Sequence, residues 1–315
     1  MKDKIDLYIV SGFLGSGKTT FLKNMLFNFD KKKTGVLVNE FGAVNIDSVR
    51  LSGDTIKMVE INNGSIFCSC LKGDFIKALI AFSNEDIEYL FIENSGLADP
   101  SNMRQILKEI SEKTNKTYEY KGAICVVDAT SFLKHVAVLP PVQNQVAHSS
   151  FIVLNKTDRV NKEQITDVTN KLKEINPHAY VYETIYAEVP LSVLDEKLTV
   201  TTHEGETSNK PWNRISTYAL ETEEDVSIEE LTRFVEEIKD FAYRIKGYVK
   251  DKKKWISVDV TELDVRINET SLTRRDILKH TRLVVISKST ECILDKIKET
   301  TKNTMPTKSI EIYEG

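Results

Sequence analysis

The stretch Gly12-Phe13-Leu14-Gly15-Ser16-Gly17-Lys18-Thr19 decides the fold, because it fits the pattern G-x-x-x-x-G-K-[ST]. It follows an apolar run at 7–10, which predicts a buried strand, and it leads into a helical pattern at 19–28. A strand, this loop and a helix in that order are the context in which the pattern forms a phosphate-binding loop. The sequence therefore predicts a P-loop at the start of an α/β domain.

The residue types of this loop suit phosphate binding. Its glycines let backbone N–H groups turn inward, and the helix start adds the positive end of its dipole. Lys18, which we expect in an exposed loop, can place its charge on the β- and γ-phosphates, and Thr19 can offer a hydroxyl to Mg²⁺. The predicted nucleotide-binding residues of this segment are Gly12, Gly15, Ser16, Gly17, Lys18, Thr19 and Thr20.

A second motif indicates which base is bound. Asn155-Lys156-Thr157-Asp158 follows an apolar run at 151–154, at the strand end where open α/β sheets bind ligands. An aspartate there can accept hydrogen bonds from the ring N–H and the amino group of guanine, a donor pair that adenine lacks. The four residues alone would also make a good turn, but together with the P-loop they favour GTP over ATP. The predicted guanine-binding residues are Asn155, Lys156 and Asp158.

Several acidic residues and one glycine are candidates for Mg²⁺ and hydrolysis. Glu93 ends the apolar run 89–92, where a carboxylate can hold a Mg²⁺-bound water, and the N–H of Gly96 can contact a γ-phosphate. Glu40 and Asp47 follow the second predicted strand, a natural place for a switch loop, although surface acids explain them equally well. We predict Lys18, Glu40 and Gly96 as catalytic residues and Thr19, Asp47 and Glu93 as Mg²⁺ ligands.

Composition excludes several classes of protein. The 315 residues are 41% hydrophobic and 29% charged, values typical of a soluble chain of two domains. A net charge of −4 argues against a general nucleic-acid binder. No apolar run is long enough to span a membrane, the charged start is unlike a signal peptide, and four cysteines cannot form a disulfide framework. We expect a cytoplasmic protein that binds neither nucleic acid nor membrane.

The pattern of apolar runs predicts the architecture. Runs at 7–10, 34–38, 89–92, 123–127 and 151–154 are almost continuously apolar and alternate with helical stretches, which predicts an α/β fold with a doubly wound, mostly parallel sheet. The polar segment 203–211 resembles a linker. Consecutive strands follow it, together with a helix over 227–238 that Ser227 should cap, and they predict an antiparallel sheet. The expected domains are a P-loop GTPase domain at 1–202, a linker at 203–211 and a smaller α+β domain at 212–315.

The motifs at 12–20, 39–42, 93–100, 155–158 and 176–179 resemble those of the CobW-like metal-associated GTPases. This family is related to the GTPases that mature urease and nickel hydrogenase. The resemblance covers about residues 5–185, and Asn94 stands where the family usually has Thr. It implies slow hydrolysis of GTP to GDP with Mg²⁺. It also implies metal delivery or cobalamin-related metabolism, with a client metalloprotein or cofactor-pathway enzyme as partner.

The cysteine motif of the family is altered in this chain. The family carries Cys-x-Cys-Cys after an Asn-Gly pair, as a site for zinc or another transition metal. Here the pair at 63–64 is followed by only two cysteines, Cys68 and Cys70. Zinc takes about four donors, so two cysteines leave the shell incomplete, and Glu40, a residue of the second domain or a partner chain could complete it. A remnant without metal and a redox-active thiol pair are the alternatives, the latter forming a strained bridge.

Two functions follow from these observations. The first is a Mg²⁺-dependent GTPase whose nucleotide state gates metal delivery or cofactor maturation. The alternative is a GTP-dependent regulatory or scaffolding switch that carries no metal. A small-molecule kinase is disfavoured by the guanine motif at 155–158. The sequence leaves the oligomeric state open, with a homodimer as one option.

Overall fold

The computed structural model describes residues 4–28, 33–40, 56–62, 72–94, 103–200, 216–252, 254–261, 264–270, 280–288 and 293–314. The chain divides into two compact units, which contain the described residues up to 200 and from 216 onward. The linker predicted at 203–211 lies outside the described residues. The domain limits 1–202 and 212–315 therefore stay predictions.

The first unit is built on a parallel sheet. Its strands are β1 (Lys4–Ser11), β2 (Thr34–Glu40), β3 (Ile56–Asn62), β4 (Tyr89–Glu93), β5 (Thr117–Asp128), β6 (Phe151–Asn155) and β7 (Tyr180–Glu183). Their order is β3-β2-β4-β1-β5-β6-β7, and every neighbouring pair is parallel. The helices are α1 (Lys18–Asn28), α2 (Lys72–Ser83), α3 (Met103–Ile110), α4 (Phe132–Val138), α5 (Pro140–Ala147), α6 (Lys162–Ile175) and α7 (Leu191–Lys197).

Both faces of this sheet are covered. In β1, Leu7 and Ile9 belong to a core that includes residues of α2 and α3, whereas Tyr8 and Val10 belong to a core that includes residues of α1. A strand buried on both faces has no polar side to show, which explains the continuous apolar run at 7–10. The doubly wound α/β domain predicted from the sequence is confirmed.

The second unit is an antiparallel sheet with helices. Its elements are β8 (Thr217–Thr222), α8 (Ile228–Ile238), β9 (Ala242–Asp251), β10 (Lys254–Thr261), β11 (Asp264–Thr270), β12 (Thr281–Ser287), α9 (Leu294–Thr304) and β13 (Glu311–Glu314). The strand order is β11-β10-β9-β12-β8-β13. Ser227 caps α8 as predicted: the Glu230 backbone N–H donates to Ser227 Oγ at 3.2 Å, and the Ser227 N–H donates to Glu230 Oε2 at 2.9 Å.

The sequence patterns missed β3, β7 and β13. Strand β7 has four residues, and its three hydrophobic side chains are only partly buried. Within the described part of the chain, no helix is both long and apolar enough to cross a membrane.

Candidate nucleotide site

The predicted P-loop joins β1 to α1, and its first and third glycines are required by their surroundings. Gly12 has φ 137°, and a Cβ there would lie 2.2 Å from the carbonyl oxygen of Val126. Gly17 has φ 109°, and a Cβ there would lie 2.5 Å from Asn155 Nδ2. Both positions combine a left-handed backbone with close approach of another segment, which only glycine tolerates. The loop is thereby held against the ends of β5 and β6, while Gly15 is exposed.

Lys18 is the first residue of α1 and only 7% exposed, so the expectation that it sits in an exposed loop is wrong. The helix begins one residue earlier than predicted, and Lys18 Nζ folds back to donate to the Phe13 carbonyl at 3.2 Å. Ser16 Oγ is buried and has no hydrogen-bond partner among the described residues. An orphaned buried hydroxyl is unfavourable, so a phosphate oxygen is a chemically suitable partner for it.

A hydroxyl and a carboxylate meet where Mg²⁺ is expected. Thr19 Oγ1 donates to Glu93 Oε1 at 2.8 Å. Glu93 ends β4 and is 2% exposed, while Thr20 next to Thr19 is exposed. Mg²⁺ prefers oxygen ligands and retains several waters, so the two side chains have the chemistry that this ion requires.

Asn155 connects the P-loop with a more distant loop. Its Nδ2 donates to the Ser16 carbonyl at 2.9 Å, and its Oδ1 accepts from the Ala187 backbone N–H at 2.8 Å. The side chain is 3% exposed. Asn155, the first residue of the guanine motif, is therefore hydrogen-bonded directly to the phosphate loop.

The loop that Asn155 contacts, after β7, was missed by the sequence analysis. Tyr186 and Ala187 are consecutive non-glycine residues in the left-handed region, with φ 54° and 55°. Asn24 Nδ2 in α1 donates to the Tyr186 carbonyl at 2.9 Å. Such conformations are strained and often occur at functional sites. The loop contains no glycine or asparagine, the residues that usually mark a left-handed conformation in a sequence. Hydrogen bonds from Asn24 and Asn155, in other segments, hold this conformation instead.

The remaining guanine-motif residues lie beside Asp128, the last residue of β5. Lys156 Nζ is 2.5 Å from Asp128 Oδ2, an acid that the sequence analysis also missed. Its position at the carboxyl end of a central strand was the available signal. Asp158 is exposed in a 3-10 turn and makes no hydrogen bond or ion pair with the described residues. Its carboxylate is therefore available to an incoming base.

Several predicted site residues cannot be placed. Asp47, Cys68, Cys70 and Gly96 lie outside the described residues, and for Glu40 only the backbone at the end of β2 is described. Among the residues that are described, no group of three or more His, Cys, Asp or Glu side chains could hold a metal ion.

A buried thiol lies beneath the P-loop. Cys125 in β5 is fully buried, and this burial raises the pKa of its thiol to about 12, despite smaller opposing effects of Ser11 and Lys18. Nearby, the Phe13 and His135 rings pack with centroids 4.4 Å apart, on the wall of a small pocket. Most of the residues that line this pocket beside the phosphate loop are therefore apolar.

A strand, glycine loop and helix, with an Asn-Lys-x-Asp motif bound to the loop, define a P-loop GTPase domain. Residues 6–183 match the family model described as CobW/HypB/UreG, nucleotide-binding domain. That match covers more than half of the chain, and the chain belongs to this family.

Individual relatives are more distant. The chain is 29% identical over 260 residues to the zinc chaperone YjiA of Escherichia coli, covering 77% of this chain and 81% of that protein. It is 27% identical over 225 residues to zinc-regulated GTPase metalloprotein activator 1 of Dictyostelium discoideum, covering 60% of this chain but 47% of that protein. It is 28% identical over 225 residues to the zinc chaperone CobW of Pseudomonas aeruginosa, covering 61% of this chain and 59% of that protein. The last two relatives are thus matched over less than two thirds of their length.

Among solved structures, that of zinc-bound YjiA GTPase from E. coli aligns over 96% of this chain and 99% of the other. The TM-score is 0.49 and the sequence identity is 23%.

Proposed function

We propose that this protein is a Mg²⁺-dependent GTPase whose nucleotide cycle drives delivery of a transition metal, zinc in the first instance, to a client metalloprotein. The observation that carries the proposal is the Asn155 side chain, which bonds the Ser16 carbonyl and the Ala187 N–H. These two hydrogen bonds support the proposal that the phosphate loop and the guanine motif act as one site.

The nucleotide would be held by residues already in suitable surroundings. Backbone N–H groups of the P-loop would bind the phosphates, and Lys18 would exchange the Phe13 carbonyl for phosphate oxygens. The exposed Asp158 carboxylate would pair with the ring N–H and amino group of guanine.

Thr19 and Glu93 would hold the magnesium ion, Thr19 directly and Glu93 through a bound water, with Asp47 as a further ligand. The ion would supply positive charge against the phosphates when it is bound. The 2.8 Å hydrogen bond between the Thr19 hydroxyl and the Glu93 carboxylate supports this assignment. Glu40 and Gly96 would act on the γ-phosphate side, Glu40 by positioning water and Gly96 through its N–H.

The transition metal would be the cargo of this cycle and not a resident cofactor. Relatives matched over a large part of this chain are named as zinc chaperones and as zinc-regulated activators of metalloproteins, which supports a metal-delivery role. Cys68 and Cys70 would supply the soft thiolate ligands. We further propose a cytoplasmic location, because a reducing compartment keeps both thiols available.

Two measurements test this function. In the first, GTP, GDP and ATP compete for the purified protein in the presence of Mg²⁺, and guanine nucleotides should bind at least about tenfold tighter. In the second, zinc-loaded protein is mixed with a chromogenic chelator, and zinc should be lost at different rates in the GTP-bound and GDP-bound forms. Equal affinity for ATP and GTP would refute guanine recognition, and equal zinc loss would refute nucleotide-gated delivery.

A further inference from the structure

Asp128 is a buried carboxylate with three contacts beside the guanine motif. It ends β5 and pairs in register with Asn155 at the end of β6. Its Oδ1 accepts from the backbone N–H of Thr130 at 2.9 Å and from Thr130 Oγ1 at 2.6 Å, and its Oδ2 lies 2.5 Å from Lys156 Nζ. The Asp128 side chain is only 10% exposed, and water therefore has little access to it. The Lys156 ammonium is the positive charge that pairs with this carboxylate.

Lys156 has an unusual backbone for a residue with a long side chain. Its φ of 62° and ψ of 32° are left-handed. Hydrogen bonds hold the chain on either side: the Ala129 N–H donates to the Asn155 carbonyl at 3.0 Å, and the Arg159 N–H donates to the Lys156 carbonyl at 3.0 Å. A left-handed lysine is strained, and the conformation persists because these neighbours enforce it. The backbone thus fixes where the side chain starts, and Asp128 fixes where it ends.

We propose that Asp128 is a positioning residue for guanine recognition, which acts by holding the Lys156 side chain in one conformation against the face of the base. The proposal rests on the proposed function, because it assumes that a guanine nucleotide occupies this site. Asp158, two residues after Lys156, would pair with the edge of the base. If the edge of the base pairs with Asp158, the flat face of the base remains to be covered. The apolar four-carbon stem of Lys156, two residues away in the chain, would pack against that face.

The physical effect is preorganisation. A free lysine has several rotatable bonds, and ordering it upon binding reduces affinity. The Asp128 carboxylate orders the side chain before the nucleotide arrives, and it keeps the ammonium at the far end so that the stem faces the ligand. Loss of this restraint should weaken guanine-nucleotide binding by about threefold to tenfold, the effect of one immobilised flexible side chain.

A double-mutant cycle tests whether Asp128 acts through Lys156. The variants are Asp128→Asn, Lys156→Met and the double variant, with Met retaining an apolar stem without the charge. Binding of GDP with Mg²⁺ is measured by calorimetry, alongside binding of inorganic tripolyphosphate, which has phosphates but no base. We expect Asp128→Asn to weaken GDP binding about threefold to tenfold in the wild-type background and less than about twofold in the Lys156→Met background. Tripolyphosphate binding should not change.

Two further variants separate positioning from a structural role. Thr130→Val removes the hydroxyl hydrogen bond to Asp128 and leaves the ion pair, so it should keep wild-type GDP affinity. Glu119→Gln removes a carboxylate of the same strand, which pairs with Lys4 and Lys121, and should also bind GDP normally. Equal weakening by Asp128→Asn in both Lys156 backgrounds, or weakening by Thr130→Val, would overturn the proposal.

Failure of the proposed function would look different. If the wild-type protein bound tripolyphosphate but showed no preference for GDP over ADP, guanine recognition itself would be refuted. If the wild type preferred GDP and Asp128→Asn bound it equally well, only the role of Asp128 would be refuted.

Discussion

Thr19 and Glu93 are joined by a hydrogen bond of 2.8 Å although 74 positions separate them in the sequence. One lies in the first turn of α1 and the other at the end of β4. Burial of a carboxylate is unfavourable without hydrogen bonds or positive charge around it. A divalent cation at this point would supply that charge, which makes the pair the most direct place to test Mg²⁺ dependence.

Glu93→Gln should raise the Mg²⁺ concentration for half-maximal GTP hydrolysis by about tenfold to a hundredfold, the usual cost of losing an outer-shell partner of a metal. The amide keeps the size of the side chain and removes the charge. Hydrolysis is measured by phosphate release across a Mg²⁺ titration, and GDP binding in EDTA should be unchanged. Glu88→Gln, an exposed acid just before β4, is the matched control. An unaltered Mg²⁺ titration in Glu93→Gln would exclude Glu93 from the ion site.

Asp158→Asn should weaken GTP binding by about tenfold to a hundredfold, because hydrogen bonds to a charged group are lost. Xanthine nucleotides should gain affinity, since their ring oxygen can accept from the new amide N–H. Competition of GTP, XTP and ATP for the variant reads out both effects. Asp167→Asn in α6 makes the same charge change at an exposed site and should retain wild-type selectivity. A variant that still prefers GTP to XTP would contradict the assignment of Asp158 to the base.

Lys18→Ala should abolish nucleotide binding while the protein stays folded. The lysine contacts the Phe13 carbonyl, and its charge is the one that the phosphates require. Although Lys18 is buried, truncation removes a charged side chain at the first position of α1 and leaves the apolar residues of that helix in place, so the free energy of unfolding should fall by only about 1 kcal/mol. Calorimetry measures binding, and thermal unfolding without nucleotide measures stability. Lys23→Ala in the same helix should bind normally. A collapse of stability in Lys18→Ala would instead indicate a structural role.

The double variant Cys68→Ser, Cys70→Ser should bind no transition metal after loading with zinc or cobalt and desalting. It should bind GTP as the wild type does, because the phosphate loop lies on a different segment. Wild-type affinity should be weaker than that of a three-thiolate site and should fall as pH falls, since thiolate ligands must be deprotonated. Metal content is measured by elemental analysis. Retention of metal by the double variant would place the site elsewhere, and metal in neither protein would favour the remnant hypothesis.

Alkylation should report coupling between nucleotide and cysteines. We expect Cys68 and Cys70 to react at different rates in the GTP and GDP forms, because in the sequence these cysteines and residues 40–47 all lie between β2 and Glu93, two segments of the candidate nucleotide site. Cys125 serves as an internal reference: burial raises the pKa of its thiol to about 12, so at pH 8 it should react only upon unfolding. Mass spectrometry of digested protein separates the sites. Identical rates for Cys68 and Cys70 in both forms would argue against coupling.

The same Cys125 pKa implies that stability declines in alkali. The unfolded thiol titrates near 9 and the folded one near 12, so the unfolded state loses its proton first as pH rises. The contribution of this thiol is complete below pH 9 and declines as the pH rises toward 12.

Local patterns predicted the phosphate loop and the strands around it because each depends on a few neighbouring residues. The apolar run at 7–10 and the glycines at 12 and 17 determine backbone choices within that segment. Strand β7 was missed because its side chains are only partly buried. The burial of Lys18 was missed because it depends on a contact with the Phe13 carbonyl, which no spacing reveals.

The loop after β7 and the ion pair between Asp128 and Lys156 illustrate a different limit. The left-handed Tyr186 and Ala187 are held by Asn24 and Asn155, which come from two other segments. Tertiary hydrogen bonds can thus override local preference, and a single sequence carries no record of them. Lys156 was predicted as a base contact, but its ion pair with Asp128 depends on the pairing of β5 with β6, which the sequence does not show.

The two hydrogen bonds of the Asn155 side chain, to Ser16 and to Ala187, can form only late in synthesis on the ribosome. Ser16 is made early, but its carbonyl meets Nδ2 of Asn155, and the Oδ1 of that side chain needs the Ala187 N–H. The central strand β1 likewise cannot complete its pairing until β4 and β5, which follow it in the chain, have been synthesised. A nascent chain that has not reached Ala187 therefore lacks one of the two hydrogen bonds that hold Asn155 in the proposed guanine site, and we expect nucleotide to stabilise it less at that stage. Until then its apolar strands are unpaired and can misfold or aggregate, and nucleotide binding does not yet counteract this.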